Sequence, residues 1–181
     1  MIPLKSIITK KILNYFFVNP HENLYVNELS RKLDLDKRNL AKKIKELERE
    51  GILSCQPRGN LKLYSINLRY PLYQEYRKII MTTVGLEGQL GNILKKVDGI
   101  KEAYIYGSYA ENTMNSHSDI DLLVVGSVNV VVVQKSISKL QRDIDREINA
   151  TVMTQADFKR RRKEKDPFVS GILKQKNIKI V

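Results

Sequence analysis

The sequence is poor in the features of disulfide-rich, secreted or membrane-spanning proteins. Its 181 residues include a single cysteine, Cys55, which excludes an internal disulfide framework and is expected to be a small core residue. No apolar run approaches the roughly 18 residues of a membrane span, and the start, MIPLKSIITKKIL, lacks the apolar region and cleavage site of a signal peptide. We therefore expect a cytoplasmic protein with no membrane partner.

Acidic residues are also scarce relative to basic ones. The chain has 32 Lys and Arg against 20 Asp and Glu, a net charge of +12. Residues 1–80 hold sixteen basic and eight acidic residues, whereas residues 81–181 hold sixteen and twelve. This surplus favours a polyanionic partner, and its concentration in the first half favours a nucleic-acid-binding domain there. A basic composition also fits a protein that is merely soluble.

The stretch from Ala103 to Gly126 carries the strongest chemical signal. Two β-prone runs flank Gly107 and Ser108, and the second contains Asp119 and Asp121. Because side chains alternate along a strand, the two acids share one face, about 6–7 Å apart, and repel each other unless a cation lies between them. Oxygen ligands of this kind suit Mg²⁺, and the Gly-Ser pair can cradle a phosphate. A solvated strand end after a turn is the alternative.

The pattern of Gly107-Ser108, ten residues and Asp119-Ile120-Asp121 resembles the nucleotidyltransferase fold of DNA polymerase beta, most closely its minimal stand-alone versions. The resemblance covers about Val84 to Val181. It implies an α/β (α+β) domain with a mixed sheet flanked by helices. It also implies that Gly107 and Ser108 bind the triphosphate of an NTP, with ATP as the expected nucleotide. Asp119 and Asp121 are implied to be catalytic residues that hold Mg²⁺.

Two positions depart from the pattern of that family. Where the family commonly has Ala-Arg-Gly, this chain has Ala110-Glu111-Asn112, so an anion replaces a cation near the phosphates. The third carboxylate of the family falls on Asn149, which can coordinate a metal but cannot accept a proton as a general base. Glu147 would lie on the same face if the strand extends that far, and it is our candidate for the missing catalytic carboxylate. A catalytic and a non-catalytic domain both stay open.

The first seventy residues show a second pattern, in which helical and strand-like segments alternate with turn signals. The predicted elements are a helix over residues 5–18, a short strand at Leu24–Val26, a helix capped by Asn27, a helix capped by Asp36 and stopped by Gly51, and β-prone runs over Ile52–Cys55 and Leu61–Ile66 joined by Pro57–Asn60. This order resembles a winged helix-turn-helix domain over about residues 5–68.

In winged helix-turn-helix domains the third helix enters the major groove with its N-terminal residues foremost. Arg and Asn can pair with guanine and adenine edges, whereas Lys more often neutralises phosphate. The resemblance therefore implies double-stranded DNA as a partner. The expected contacts are Lys37, Arg38, Asn39, Lys42 and Lys43 on the helix, with Arg58 and Lys62 on the hairpin. A solvated helix face in a dimerisation domain is the alternative.

A long helical pattern runs from Tyr70 to Val97, and we expect Gly85, Gly88 and Gly91 to split it into two helices. This gives a winged-helix domain at 1–69, a connector helix at 70–84 and a nucleotidyltransferase-fold domain at 85–181. The apolar stripe of this pattern could serve as a dimer seam, and we expect a homodimer.

Three further elements are predicted after the metal-site strand. They are a helix capped by Asn129 with Val130, Val133, Ile137, Leu140 and Ile144 on one face, a strand around Ile148–Met153, and a basic segment, Asp157–Lys163, that is either a solvated helix or a contact for phosphates. A last strand is expected within Asn177–Val181.

Together these patterns predict a DNA-binding protein whose second domain binds Mg²⁺ and an NTP. The resemblance implies transfer of a nucleoside monophosphate to a hydroxyl of a protein or small molecule. Some minimal members of the family are antitoxins that modify a toxin, which makes a toxin a candidate acceptor. The alternatives are a transcriptional regulator whose nucleotidyltransferase fold only senses a nucleotide, and an interaction module without either activity.

Overall fold

Helices and strands are interspersed along the described part of the chain. The computed structural model describes residues 6–115 and 118–181. The chain divides into two units, Met1–Glu87 with Asp143–Asp145, and Gly88–Arg142 with Arg146–Val181. Each unit combines helices with one sheet, which confirms the predicted mixed α/β class. Within the described residues, no helix is both long enough and apolar enough to cross a bilayer.

The first unit follows the predicted element order. Its elements are α1 (Ile7–Val18), β1 (Leu24–Tyr25), α2 (Val26–Leu33), α3 (Lys37–Arg49), β2 (Leu53–Arg58), β3 (Leu61–Ile66) and α4 (Tyr73–Thr83). The three strands form an antiparallel sheet in the order β1-β3-β2. The predicted first residue of α1, at position 5, lies outside the described residues.

The helix caps of this unit correct one prediction and match another. Asn27 does not cap α2, because the Glu28 carboxylate accepts the Tyr25 N–H at 2.9 Å and the helix begins earlier, with Tyr25 as its N-cap. Asp36 does cap α3, since its Oδ1 accepts the Asn39 N–H at 2.9 Å. After α3 the chain turns at Gly51, whose φ of +76° favours glycine.

The hairpin is longer than the sequence predicted. Strand β2 continues through Pro57 and Arg58, so the turn shrinks to Gly59-Asn60 and the predicted strand end at Cys55 was wrong. Proline fits here because β2 is an edge strand, where one side of the strand makes no ladder hydrogen bonds. Cys55 itself is half-buried.

Only one of the three glycines divides the long helical pattern. The break between α4 and α5 (Leu86–Leu94) lies at Gly85, whereas Gly88 and Gly91 lie inside α5. Gly91 has a packing role instead, because a Cβ there would approach the Ile180 Cγ2 atom to 3.2 Å. The α4 helix packs on α1, where the rings of Phe17 and Tyr73 are 5.6 Å apart.

The second unit is built around a four-stranded mixed sheet. Its elements after α5 are β4 (Ile100–Tyr106), α6 (Gly107–Glu111), β5 (Ile120–Gly126), α7 (Val130–Ile144), β6 (Ile148–Met153), α8 (Gln155–Lys163), α9 (Pro167–Lys174) and β7 (Ile178–Lys179). The strand order is β6-β5-β4-β7, with β5 and β6 parallel and the other pairs antiparallel.

Strand β5 lies at the centre of the core of this unit. On one sheet face, Leu123 and Val125 join a cluster with Phe158 from α8 and with Val169 and Ile172 from α9. Ile120, Leu122 and Val124 alternate to the other face, and they too are fully buried. Both faces of β5 are therefore covered along most of its length.

Helix α7 begins as predicted, and all but the first residue of its apolar face is buried. The Asn129 Oδ1 accepts the Val131 N–H at 2.8 Å and caps the helix. Val133, Ile137, Leu140 and Ile144 are buried, whereas Val130 is 43% exposed. Val130 lines an open cavity of about 630 Å³.

Candidate functional site

The two acids of the sequence motif lie where β5 begins. Asp119 directly precedes the strand, and Asp121 is its second residue. Asp121 is paired with Tyr106 on β4 and with Asn149 on β6, so it occupies the middle of three adjacent strands. The Ile120 N–H donates to the Glu147 carbonyl at 3.0 Å, which fixes the parallel register at this end of the sheet.

Asn149 contacts Asp119 directly. Its Nδ2 group donates to the Asp119 Oδ2 atom at 3.1 Å. The residue that the sequence resemblance aligned with a third carboxylate is therefore an amide hydrogen-bonded to one acid of the pair. The amide group has both a donor nitrogen and an acceptor oxygen, so a half-turn of the side chain would present Oδ1 to the same place.

Gly107, which directly follows β4, also packs against Asp121. Its φ is +67°, and a Cβ built there would lie 2.6 Å from the Asp121 Oδ2 atom. A side chain at this position would thus be strained and would displace the carboxylate. Ser108 follows in the first turn of α6 and is half-buried.

The pKa of Asp121 is changed by its surroundings. Burial raises the pKa of the Asp121 carboxyl above its ordinary 3.8, and the negative charge of Asp119 raises it further. Burial also raises the pKa of Tyr106, with the Asp121 charge acting in the same direction and a hydrogen bond with Thr151 opposing it. The ionised form of Asp121 is therefore destabilised by its own site.

This donor set fits a divalent cation. Asp119 and Asp121 supply hard carboxylate oxygens, and the Asn149 amide can supply a third oxygen. A cation between the acids would offset the repulsion that raises the pKa of Asp121. Mg²⁺ commonly uses one or two protein carboxylates and takes its other ligands from water and phosphates. Two acids and an amide are therefore sufficient for it.

Glu147 does not join the acid pair. It lies before the first residue of β6, and its side chain is exposed. Among the residues that the structure describes, no group of three acidic, histidine or cysteine side chains could hold a metal. Glu111, the anion in place of the family's arginine, is exposed at the last position of α6.

The residues predicted to contact DNA lie on the surface of the first unit. Lys37, Arg38, Asn39 and Lys42 are exposed in the first two turns of α3, and Arg58 and Lys62 are exposed on the hairpin. Lys43 differs, because it is half-buried and its Nζ atom lies 2.6 Å from a Glu46 carboxylate oxygen. The Glu46 carboxylate therefore offsets part of the Lys43 charge.

Tyr106 is a site residue that the sequence analysis missed. It pairs with Asp121 and immediately precedes Gly107. A signal was present, because strand alternation places the residue before Gly107 on the same face as the acids once β4 and β5 are paired antiparallel. That pairing register could not be read from either strand alone.

The sequence model of one family, described as polymerase beta nucleotidyltransferase, matches residues 88–180, just over half of the chain. These residues contain Gly107, Ser108, Asp119, Asp121 and Asn149. The chain belongs to the polymerase beta nucleotidyltransferase family. No curated protein sequence matches it.

Three solved structures match parts of this chain at low identity. A toxin–antitoxin complex with AMP-PNP is 22% identical over 36% of this chain and 56% of its own, with a TM-score of 0.33. A candidate nucleotidyltransferase from Sulfolobus solfataricus is 24% identical over 41% and 68%, with a TM-score of 0.29. The archaeal chromatin protein TrmBL2 is 12% identical over 96% and 74%, with a TM-score of 0.30. Likenesses at this level carry no argument about function.

The raised pKa of Asp121 predicts a stability effect. The folded state binds this proton more tightly than the unfolded state, so ionised Asp121 lowers the free energy of unfolding at pH values above its folded pKa. We expect Asp121→Asn to raise the melting temperature at pH 7. The gain should shrink as the pH falls through the folded pKa and vanish below 3.8.

Thermal melts from pH 3 to pH 8 would measure this effect, with Glu75→Gln, an exposed charge on α4, as the matched control. Magnesium ions should narrow the difference between wild type and Asp121→Asn. Equal melting temperatures at every pH would contradict the electrostatic account.

Proposed function

We propose that the second unit binds an NTP, with ATP as the first candidate, together with Mg²⁺, and transfers the nucleoside monophosphate to a hydroxyl acceptor on a protein or small molecule. The observation that carries the proposal is the convergence of Asp119, Asp121 and Gly107 at the start of β5, within the part of the chain that matches the family. The two acids would hold the cation. Gly107 and Ser108 would receive the triphosphate.

The proposed reaction is a displacement at the α-phosphorus. The acceptor oxygen forms a bond to that phosphorus, the bond to the bridging oxygen of the β-phosphate breaks, and pyrophosphate leaves. The bound ion would orient the α-phosphate and offset the charge of the leaving group. The hydroxyl proton passes to water or to a carboxylate, for which exposed Glu147 is our candidate. A partner toxin is one candidate acceptor.

Transfer can be followed with NTPs labelled at the α-phosphate, offered with Mg²⁺ to the chain itself and to cytosolic protein and metabolite fractions. We expect labelled products, and we expect Asp119→Ala and Asp121→Ala to reduce labelling by about a hundredfold or more because the metal ligands are lost. Asp98→Ala, an exposed acid outside the site, is the control. A wild type indistinguishable from Asp119→Ala would count against transfer.

A second candidate function is supported by Asn149. Its amide donates to Asp119 at the place where the family has a carboxylate, and an amide cannot accept a proton from the acceptor hydroxyl. In this alternative the chain is a transcriptional regulator whose nucleotidyltransferase fold binds Mg²⁺ and an NTP without turnover. Nucleotide binding would then be a signal.

Restoring the carboxylate separates these two functions. If the chain is a sensor, wild type should bind ATP with Mg²⁺ in calorimetry and show no transfer above background. Asn149→Asp should then raise transfer to at least about tenfold above that background, because it supplies a third metal ligand and a base. Asn149→Ala is the control and should gain nothing. If Asn149→Asp transfers at the same rate as wild type or more slowly, the amide does not limit catalysis.

We further propose that residues 1–69 form a winged helix-turn-helix domain that binds double-stranded DNA, that residues 70–84 connect it to a nucleotidyltransferase-fold domain at 85–181, and that the protein acts as a cytoplasmic homodimer. The support is the exposure of Arg38, Asn39 and Lys42 on α3 and of Arg58 and Lys62 on the hairpin. In the proposed complex Lys37 and Lys42 neutralise phosphates, whereas Arg38 and Asn39 read base edges. Lys43, paired with Glu46, contributes less.

Binding to a library of duplexes at several salt concentrations tests this proposal. Arg38→Ala should relax sequence preference by about 1–3 kcal/mol at one position, and Lys42→Ala should weaken binding to all sequences and lower the salt slope by about one. Asp121→Ala is the control and should change neither quantity. If wild type showed no preference among duplexes at physiological salt, the regulator would be excluded.

A further inference from the structure

One aromatic side chain of the second unit is not used by the core. The structure describes every Phe and Tyr of the chain, and among them Phe168 is the only exposed one, at 38%. Its neighbours Val169 and Ile172 on α9 are buried in the cluster against the sheet. Hydrophobic packing therefore explains why α9 is apolar, but it does not explain the position of the Phe168 ring.

The Phe168 ring contacts the acid site through Tyr106. The two ring centroids are 5.9 Å apart, and the ring planes meet at 89°. Asp121 is paired with Tyr106 on β4 and with Asn149 on β6. The aromatic pair therefore begins at the β4 neighbour of Asp121, with Gly107 next to Tyr106 in the chain.

A nucleotide has two chemically different ends, and this site has two matching surfaces. The acid pair suits the phosphates with their cation, whereas the aromatic pair offers a π surface beside it. Every nucleobase has a π face, and stacking on an aromatic side chain contributes about five- to 150-fold to affinity. Edge-to-face contact with Tyr106 holds the Phe168 ring in place without covering it completely.

We propose that Phe168, supported by Tyr106, is the stacking platform for the base of the NTP, and that it gives the site a preference for purine over pyrimidine triphosphates because purines offer the larger π surface. This inference rests on the proposed nucleotide-binding function. Phe168 would bind the base and take no part in the phosphate chemistry.

Calorimetry in Mg²⁺ with ATP, CTP and inorganic triphosphate tests the platform. Wild type should bind ATP more tightly than CTP, and CTP more tightly than inorganic triphosphate. Phe168→Ala should weaken ATP binding about tenfold and leave inorganic triphosphate unchanged, while Phe168→Tyr should retain ATP binding. Leu61→Ala, which removes another exposed apolar side chain, in the first unit, should leave the binding of all three ligands unchanged.

The chain has no tryptophan, so Phe168→Trp adds a single fluorescent reporter at the platform. ATP should quench its fluorescence, and inorganic triphosphate should not. The stacking proposal is contradicted if Phe168→Ala binds ATP as tightly as wild type and ATP does not quench Phe168→Trp. The proposed nucleotide binding is unaffected by that result. If wild type binds neither ATP nor inorganic triphosphate, the proposed function and the platform fail together.

Discussion

The parallel pairing of β5 with β6 is the constraint on which the candidate site depends. This register sets Asp121 beside Asn149 and brings the Asn149 amide to Asp119, 30 residues away in sequence. A slip of one residue would turn the acids to the opposite sheet face and separate them from Gly107. The side chains of β5 are buried on both faces, so a slipped register would place each of them in a space packed for a different side chain.

Burial of the strand also explains how the protein tolerates a repulsive pair of charges. The carboxylate of Asp121 is destabilised by partial burial and by Asp119, so ionised Asp121 opposes folding in the absence of a cation. The rest of β5, from Leu122 to Val125, is fully buried and offsets this cost through apolar contacts. A site that is unfavourable for stability and rigidly held is typical of residues retained for binding.

Local chemistry made much of this arrangement predictable. The cap at Asp36, the stop at Gly51 and the two strands around Gly107 follow from residue types whose preferences act within a few positions. The error at Asn27 was also local, because the Glu28 carboxylate accepts the Tyr25 N–H and starts the helix earlier. The end of β2 has a different origin, since it is set by pairing with β3. Tyr106 entered the site through strand pairing in the same way.

Asn149 separates two requirements that nucleotidyltransferases usually meet together. Holding a cation and a triphosphate requires oxygen donors and a close backbone approach, which Asp119, Asp121 and Gly107 would supply in the proposed function. Moving a proton from an acceptor requires a base, and the amide cannot provide one. Exposed Glu147 could take the proton only if its side chain turned toward the acids after substrate binding, because the structure does not group it with them. In the proposed function, nucleotide binding would rest on Asp119, Asp121 and Gly107, and turnover would require a base that the Asn149 amide cannot supply.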